Sequence, residues 1–227
     1  MKAEGIKNDP VNDKVYQNSG NPGVIGCIPP SAKRVLDVGC GAGDNGRALA
    51  QTGAQVDGLT LSESEAAIAR KCLNAVYIHN LESGLPAEVT AGYDAILASH
   101  VLEHICFPEK LLADIRRVLT DDGVFVVALP NLLIHRNRLK MLLGEFEYES
   151  GGIMDNTHFK WYTFKSAQDL LRSHGFTIVE AFAEGNAPIG PLRKLMPSGL
   201  ASAIDRAATK AFPGMFGWQM IFVAKKT

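Results

Sequence analysis

Several features that would steer a chain of 227 residues toward particular functions are missing or scarce. There are four cysteines, Cys27, Cys40, Cys72 and Cys106, and no two stand in a C-x-x-C pair, so neither a zinc knuckle nor a disulfide framework is expected. Charge of one sign is lacking too: 23 Lys and Arg face 24 Asp and Glu, a net −1, and without a basic excess nucleic acid is not an expected partner. No stretch approaches the ~20 apolar residues of a membrane span. The opening Met1-Lys-Ala-Glu-Gly-Ile-Lys-Asn-Asp-Pro10 has no apolar core of a secretory leader, and a cytoplasmic location is the expectation. Internal repeats and low-complexity tracts are absent. What is present, 46% hydrophobic and 21% charged residues, is the composition of an ordinary globular protein. At this length folding buries roughly 70% of the unfolded chain's surface, so no metal or disulfide staple is required. The length predicts one elaborated domain, 1–227.

From Lys33 onward short β-branched runs alternate with helical patterns, the signature of an α/β fold with a parallel sheet and helices on both faces. Strands are predicted at 34–38, 55–60, 75–79, 93–98, 124–129, 176–182 and 218–224. Helices are predicted at 44–52, from Ser62 to about Cys72, from Pro108 to the Asp121-Asp-Gly123 turn, and from Phe164 to His174, where Gly175 suits a left-handed cap. Three segments stand outside the alternation. They are an N-terminal extension (1–32), a cap after the fifth strand (131–162), and an insertion between the last two strands (185–216). The cap carries a basic run (His135, Arg136, Arg138, Lys140) and then an acidic one (Glu145, Glu147, Glu149, Asp155). The basic run is either a site for an anionic acceptor group or a solvated helix face. In the insertion, Leu200, Ile204, Ala207 and Ala211 form an apolar stripe that could rest on a membrane, or against the sheet or a second subunit.

Between the first strand and first helix stands Gly39-Cys-Gly-Ala-Gly43. A glycine-rich turn there lets a ligand lie against bare backbone. From Gly41 the segment fits G-x-G-x-x-G, the dinucleotide pattern. From Asp37 it reads Asp-Val-Gly-Cys-Gly-Ala-Gly, a carboxylate just inside the strand followed by alternate glycines. In this second reading, Val35-Leu-Asp-Val-Gly-Cys-Gly-Ala-Gly43 resembles the first motif of the class I S-adenosylmethionine-dependent methyltransferases. Ser99-His-Val-Leu-Glu-His104 and Leu119-Thr-Asp-Asp-Gly-Val124 extend the resemblance, which covers about 30 to 180. Leu143-Gly-Glu-Phe-Glu-Tyr148 with Asp155-Asn-Thr-His158 is similar to members encoded with glycosyltransferases for surface polysaccharide. The resemblance implies a Rossmann-like sheet of seven strands, the last antiparallel, with S-adenosyl-L-methionine as cofactor. It also implies a small-molecule or glycan acceptor, methylated on a hydroxyl oxygen.

The same resemblance implies site residues. Asp37 would hold the glycine loop and the methionine amino group, with Gly39, Cys40, Gly41 and Gly43 forming the cradle. The family often ends its second strand with an acid that binds the ribose, whereas this chain has Gly58-Leu-Thr60-Leu61-Ser62. Glu65 is the replacement to consider beside Thr60 and Leu61, although Ser62-x-x-Glu65 also reads as a helix capping box. Asn80 and Leu81 would meet the adenine, the Asn80 amide oxygen accepting from its amine. Ser99 and His100 would line the methionine end.

His100-x-x-Glu103-His104 also fits a zinc-peptidase pattern, but the segment follows a strand and meets Pro108, so no long helix carries it. His104 is expected near the acceptor, or as a hydrogen-bonded half-buried imidazole. His158, beside Asp155 and Thr157 and ahead of Phe159, Trp161, Tyr162 and Phe164, is the expected general base, its ordinary pKa suiting a hydroxyl proton near neutrality. The same residues could instead tie the cap to the sheet. No acidic metal cluster is evident, and metal-independent transfer is expected. A nicotinamide oxidoreductase is disfavoured because no acid ends the second strand, and a noncatalytic module that keeps the cofactor fold is the remaining alternative.

Overall fold

The computed structural model describes residues 19–227, so residues 1–18 of the expected N-terminal extension lie outside the described residues. Seven strands form one sheet: β1 (Arg34–Val38), β2 (Gln55–Thr60), β3 (Ala75–Ile78), β4 (Tyr93–Ser99), β5 (Leu119–Pro130), β6 (Phe176–Gly185) and β7 (Gly217–Lys226). Their order is β3-β2-β1-β4-β5-β7-β6. Neighbours from β3 to β5 are parallel, and β7 runs antiparallel to both β5 and β6. The expected seven-stranded sheet with an antiparallel last strand is therefore present.

Around the sheet lie α1 (Pro22–Ile25), α2 (Asp44–Ala50), α3 (Glu63–Ala69), α4 (Glu109–Val118), α5 (His135–Leu142), α6 (Phe164–Ser173), α7 (Ser198–Ala211) and α8 (Pro213–Phe216). The central strands are apolar on both faces because each face has its own core. Leu36, Ile96 and Phe125 join α4 through Leu111, Leu112 and Ile115 on one side. Val35, Leu97 and Val126 join Leu49 and Leu73 on the other. This two-sided burial is what an unbroken run such as Val124–Leu129 encodes. Thr163 and Ser166 exchange side-chain and backbone hydrogen bonds at the start of α6, fixing where the chain leaves the cap.

The structure corrects some element boundaries. Helix α4 stops at Val118, and Asp121-Asp-Gly123 lies inside β5, because Leu119 is already paired with Tyr93 ahead of a register shift. Helices α2 and α3 end earlier than their periodicity predicts. The stripe predicted for α7 is out of phase: Leu200, Ala207 and Ala211 are exposed, while Ala201 and Thr209 are buried. The inward face is selected by polar bonds. Asp205 receives two 2.7 Å bonds from Arg193 and one from the Ala187 N–H. Helix α7 rests against β6, and no helix of the described residues is long and apolar enough to cross a membrane. An isolated bridge joins Asn131 to Tyr162 at the base of the segment after β5.

Candidate active site

In the parallel part of the sheet the strand order reverses between β1 and β4, and the crevice outside the carboxyl ends at such a point is where open α/β sheets bind ligands. Three segments leave the sheet there: the glycine loop after β1, residues 99–104 after β4, and the cap after β5. Gly39, Gly41 and Gly43 all adopt left-handed φ, at +75°, +51° and +86°. A Cβ on Gly39 would stand 2.5 Å from the Val101 methyl Cγ2, so the loop lies directly against the segment after β4. The Cys40 N–H donates to the Leu59 carbonyl at 2.7 Å, tying the same loop to β2. Burial, reinforced by Asp37 and Glu65, raises the Cys40 thiol far above its ordinary value, so this side chain is a packing group.

Asp37 lies at the loop's base. It is fully buried, and neither carboxylate oxygen makes a hydrogen bond. Burial pushes its carboxyl up to about 7; the nearby Gly46 N–H only partly offsets this, and Asp44 adds to it.

At the end of β2 the buried Thr60 hydroxyl donates to Glu65 Oε2 at 2.7 Å, while Ser62 Oγ accepts the Glu65 N–H. Glu65 thus caps its helix and also brings a carboxylate to the strand's end, where Leu61 is half exposed. The Asn80 amide oxygen accepts the Glu82 N–H at 3.0 Å, capping the short turn Leu81–Ser83. Leu81 rests on the core.

His100 has φ +57° among the described residues, an unusual conformation for a side chain with a Cβ. Its Nε2 lies 3.0 Å from Gln219 Oε1, and that buried glutamine also accepts from Asn21 and donates to Glu184. Asn21 in turn donates to Ser99. Burial opposes a charge on His100, but the Glu103 carboxylate outweighs it and raises the imidazole above its usual value. Gln219 and Asn21 were not legible as partners of His100 and Ser99; each is an isolated amide with no motif around it.

The peptidase pattern dissolves in three dimensions, since residues Leu102–His104 form one tight turn and His100 and His104 point to different partners. His104 instead meets His158, ring centroids 4.7 Å apart and edge to face. His104 Nδ1 lies 3.1 Å from the Thr157 carbonyl and 3.2 Å from its hydroxyl. Asp155 fixes Thr157 by accepting its N–H and hydroxyl, at 2.8 and 2.7 Å. Burial works against ionising Asp155, but those two bonds hold its carboxyl below the ordinary range. His158 Nδ1 lies 3.2 Å from the Ile153 carbonyl. Burial lowers its pKa, with His104 adding to the effect. The cap is pinned here because the Phe159 and Lys160 N–H groups both donate to the Glu103 carbonyl. Beside this pair the aromatic run divides: Tyr162 enters the core, Phe159 is exposed, and Trp161 lies 5.2 Å from His158 with Phe146 and Tyr148 around it. In the basic run Arg138 donates to the Leu133 and Gly214 carbonyls, and Lys140 lies 3.8 Å from Glu149.

A family model described as a methyltransferase domain matches residues 22–181. Over 175 residues the chain is 30% identical to a ubiquinone biosynthesis O-methyltransferase of Idiomarina loihiensis, across 71% of this chain and 67% of that one. A protein of the same name from Chromobacterium violaceum is 36% identical over 94 residues, 36% of this chain and 38% of its own length. An uncharacterised protein of Methanocaldococcus jannaschii is 29% identical, across 85% of this chain and 75% of that one. Among solved structures, a SAM-dependent methyltransferase from Archaeoglobus fulgidus matches with a TM-score of 0.61 at 19% identity, over 87% of each chain. A [4+2]-cyclase matches with a TM-score of 0.57 at 21% identity, over 90% of this chain and 77% of that one. Likenesses this remote share the fold, which by itself does not fix a reaction.

Proposed function

From the premise that this chain belongs to the methyltransferase-domain family, with S-adenosylmethionine as its cofactor, we propose that it methylates a hydroxyl oxygen of a ring-bearing small molecule. When bound, the cofactor supplies an electrophilic methyl group on a sulfonium; the chain's work is alignment and proton transfer. The observation that carries the reading is Asp37, a buried carboxylate without a hydrogen bond at the base of a left-handed glycine loop. Its chemistry fits the cofactor's ammonium, and the bare backbone of Gly39, Cys40, Gly41 and Gly43 fits the close approach of a nucleoside.

Glu65, with Thr60 and Leu61, takes the ribose hydroxyls, a carboxylate being able to accept both. Asn80 and Leu81 border the adenine. The Asn80 oxygen keeps a second lone pair for the amine after serving Glu82. Ser99 and His100 border the methionine end. On the acceptor side, a carbonyl can only accept, so the Nδ1 atoms of His104 and His158 carry their protons and each Nε2 keeps a lone pair. His158 takes the acceptor's proton through that atom, with His104 as the second candidate. Such a base contributes about 10² to 10⁴-fold.

The acceptor class is supported by Trp161, Tyr148 and Phe146, which offer ring faces beside His158, and by the similarity to O-methyltransferases named for ubiquinone biosynthesis. A glycan hydroxyl is the second reading, favoured by the exposure of Tyr148 and Phe146 to a bulky acceptor. The test is calorimetric binding of S-adenosylhomocysteine, followed by turnover on phenolic and sugar panels with wild type and His158→Ala. Absence of nucleoside binding refutes the whole reading. Turnover unchanged in His158→Ala removes only the base.

A further inference from the structure

Glu103 is an acceptor-side group that the proposed proton transfer does not account for. It is fully buried, and neither carboxylate oxygen makes a hydrogen bond to a described residue. The nearest recorded nitrogen, His100 Nδ1, is 3.4 Å away, longer than a charge-assisted bond. That one long pairing to His100 leaves the other lone pairs of a buried carboxylate unmatched, a costly state that a bound cation would relieve. One ligand atom each from Glu103, His104 and His158 lie within 4.8 Å of one another.

The imidazoles are prepared in the manner of metal ligands. Each gives its Nδ1–H to a backbone carbonyl, Thr157 for His104 and Ile153 for His158, which fixes the tautomer, orients the ring and leaves Nε2 as the free donor atom. Asp155, through Thr157, steadies one of these carbonyl partners from behind. The Glu103 backbone carbonyl, held by the Phe159 and Lys160 N–H groups, locks the segment that carries two of the three groups to the cap that carries the third.

We propose that Glu103, His104 and His158 form a binding site for a divalent transition-metal ion. Two nitrogens and one oxygen suit Zn(II), Co(II), Mn(II) or Fe(II) better than Mg(II), which prefers oxygen ligands and near-ideal octahedral geometry. Atoms ~2.0–2.2 Å from one ion stand roughly 3 to 3.6 Å apart, so loading draws the cluster in by about an ångström. Three protein ligands leave positions open for an acceptor hydroxyl, whose proton is then lost more readily to solvent. As the acceptor oxygen bonds the methyl carbon, the carbon–sulfur bond breaks and S-adenosylhomocysteine leaves. This role for the ion rests on the methyltransferase reading; in the loaded protein the Nε2 lone pairs of His104 and His158 go to the ion, so His158 acts as the base only in the metal-free protein, and the site itself does not depend on that reading.

The test is titration of chelator-stripped protein with Co(II), followed by calorimetry and visible absorption, alongside a separate S-adenosylhomocysteine titration. One Co(II) per chain, displaced by Zn(II), is expected. His104→Ala and His158→Ala should each weaken Co(II) at least tenfold while nucleoside affinity stays within about twofold. His104→Asn and His158→Asn serve if an alanine variant fails to fold. No uptake of Co(II) or Zn(II) by wild type, or equal uptake by the double variant, overturns the site. Mg(II) binding as tightly as Co(II) overturns the metal class. Co(II) binding in a protein that ignores the nucleoside supports the site while removing the methyltransferase reading.

Discussion

The sharpest quantitative consequence concerns Asp37 and the pH dependence of cofactor binding. Its carboxyl is raised by burial to about 7. At pH 6, one unit lower, about nine in ten unliganded molecules carry the proton. An ammonium is matched only by the ionised form, so binding must expel that proton. Affinity for S-adenosylhomocysteine should therefore rise nearly tenfold per pH unit from about 5 to 7, level off, and fall above ~8 as the ligand's own amino group deprotonates. Calorimetry at pH 6 in buffers of different ionisation enthalpy should count close to one proton released. Asp37→Asn abolishes the acid limb and weakens binding at pH 7.5 by roughly 10- to 100-fold, the usual worth of a hydrogen bond to a charged group. The unliganded protein carries the opposite sign. Because the native state holds the Asp37 proton to higher pH than the unfolded chain, stability is greatest below the ordinary carboxylate pKa. It falls as pH rises toward 7, by roughly 4 kcal/mol at most. Asp37→Asn flattens that fall in urea titrations. Affinity for the nucleoside that does not change between pH 5 and 7 in wild type would refute the reasoning.

Gly39→Ala combines a left-handed φ with a 2.5 Å approach to Val101, and should cost about 2–4 kcal/mol in urea unfolding. Adding Val101→Ala should recover the overlap but not the backbone penalty, and a loss under ~1 kcal/mol in the single variant would show that the loop simply shifts. Glu65→Gln keeps the helix start and one acceptor oxygen, so nucleoside affinity should drop about tenfold with little change in Tm; equal affinity would make Glu65 a capping residue only. Gln219→Leu strips partners from His100, Asn21 and Glu184 at once and should cost about 1–3 kcal/mol, measured by chemical denaturation. A loss below ~0.5 kcal/mol would mean that these groups re-pair without it.

The glycine loop was legible because its demands are local. A left-handed turn after a buried strand needs glycine at the turning positions, and three of them with Asp37 fall within one heptapeptide, Asp37–Gly43. The sheet was legible for a similar reason: strands apolar on both faces and helices apolar on one carry different periods. Glu65 was half legible, since one side chain serves both the cap and the strand end, and the Ser62-x-x-Glu65 spacing announces only the cap. The α7 stripe failed because the choice between two overlapping faces was made by Asp205 pairing with Arg193, a contact that hydrophobic periodicity does not weigh.

The acceptor side resisted for a different physical reason. In H-x-x-E-H, spacing suggests two histidines on one helical face with the glutamate as base, and that inference needs a helix. Here the chain leaves β4 through a left-handed His100 and a single tight turn. The first histidine therefore turns to Gln219 on β7, and the glutamate is driven into the interior. The partner that His104 gains instead, His158, arrives from 54 residues further along the chain. It is placed by backbone bonds from Phe159 and Lys160 that carry no side-chain signature. Local pattern thus named the right residues in the wrong grouping. The grouping decides the chemistry: two imidazoles whose Nδ1–H groups are spent on backbone carbonyls, gathered with a buried carboxylate, suit the cation site proposed above, whereas the same residues strung along a helix would suit a peptidase centre.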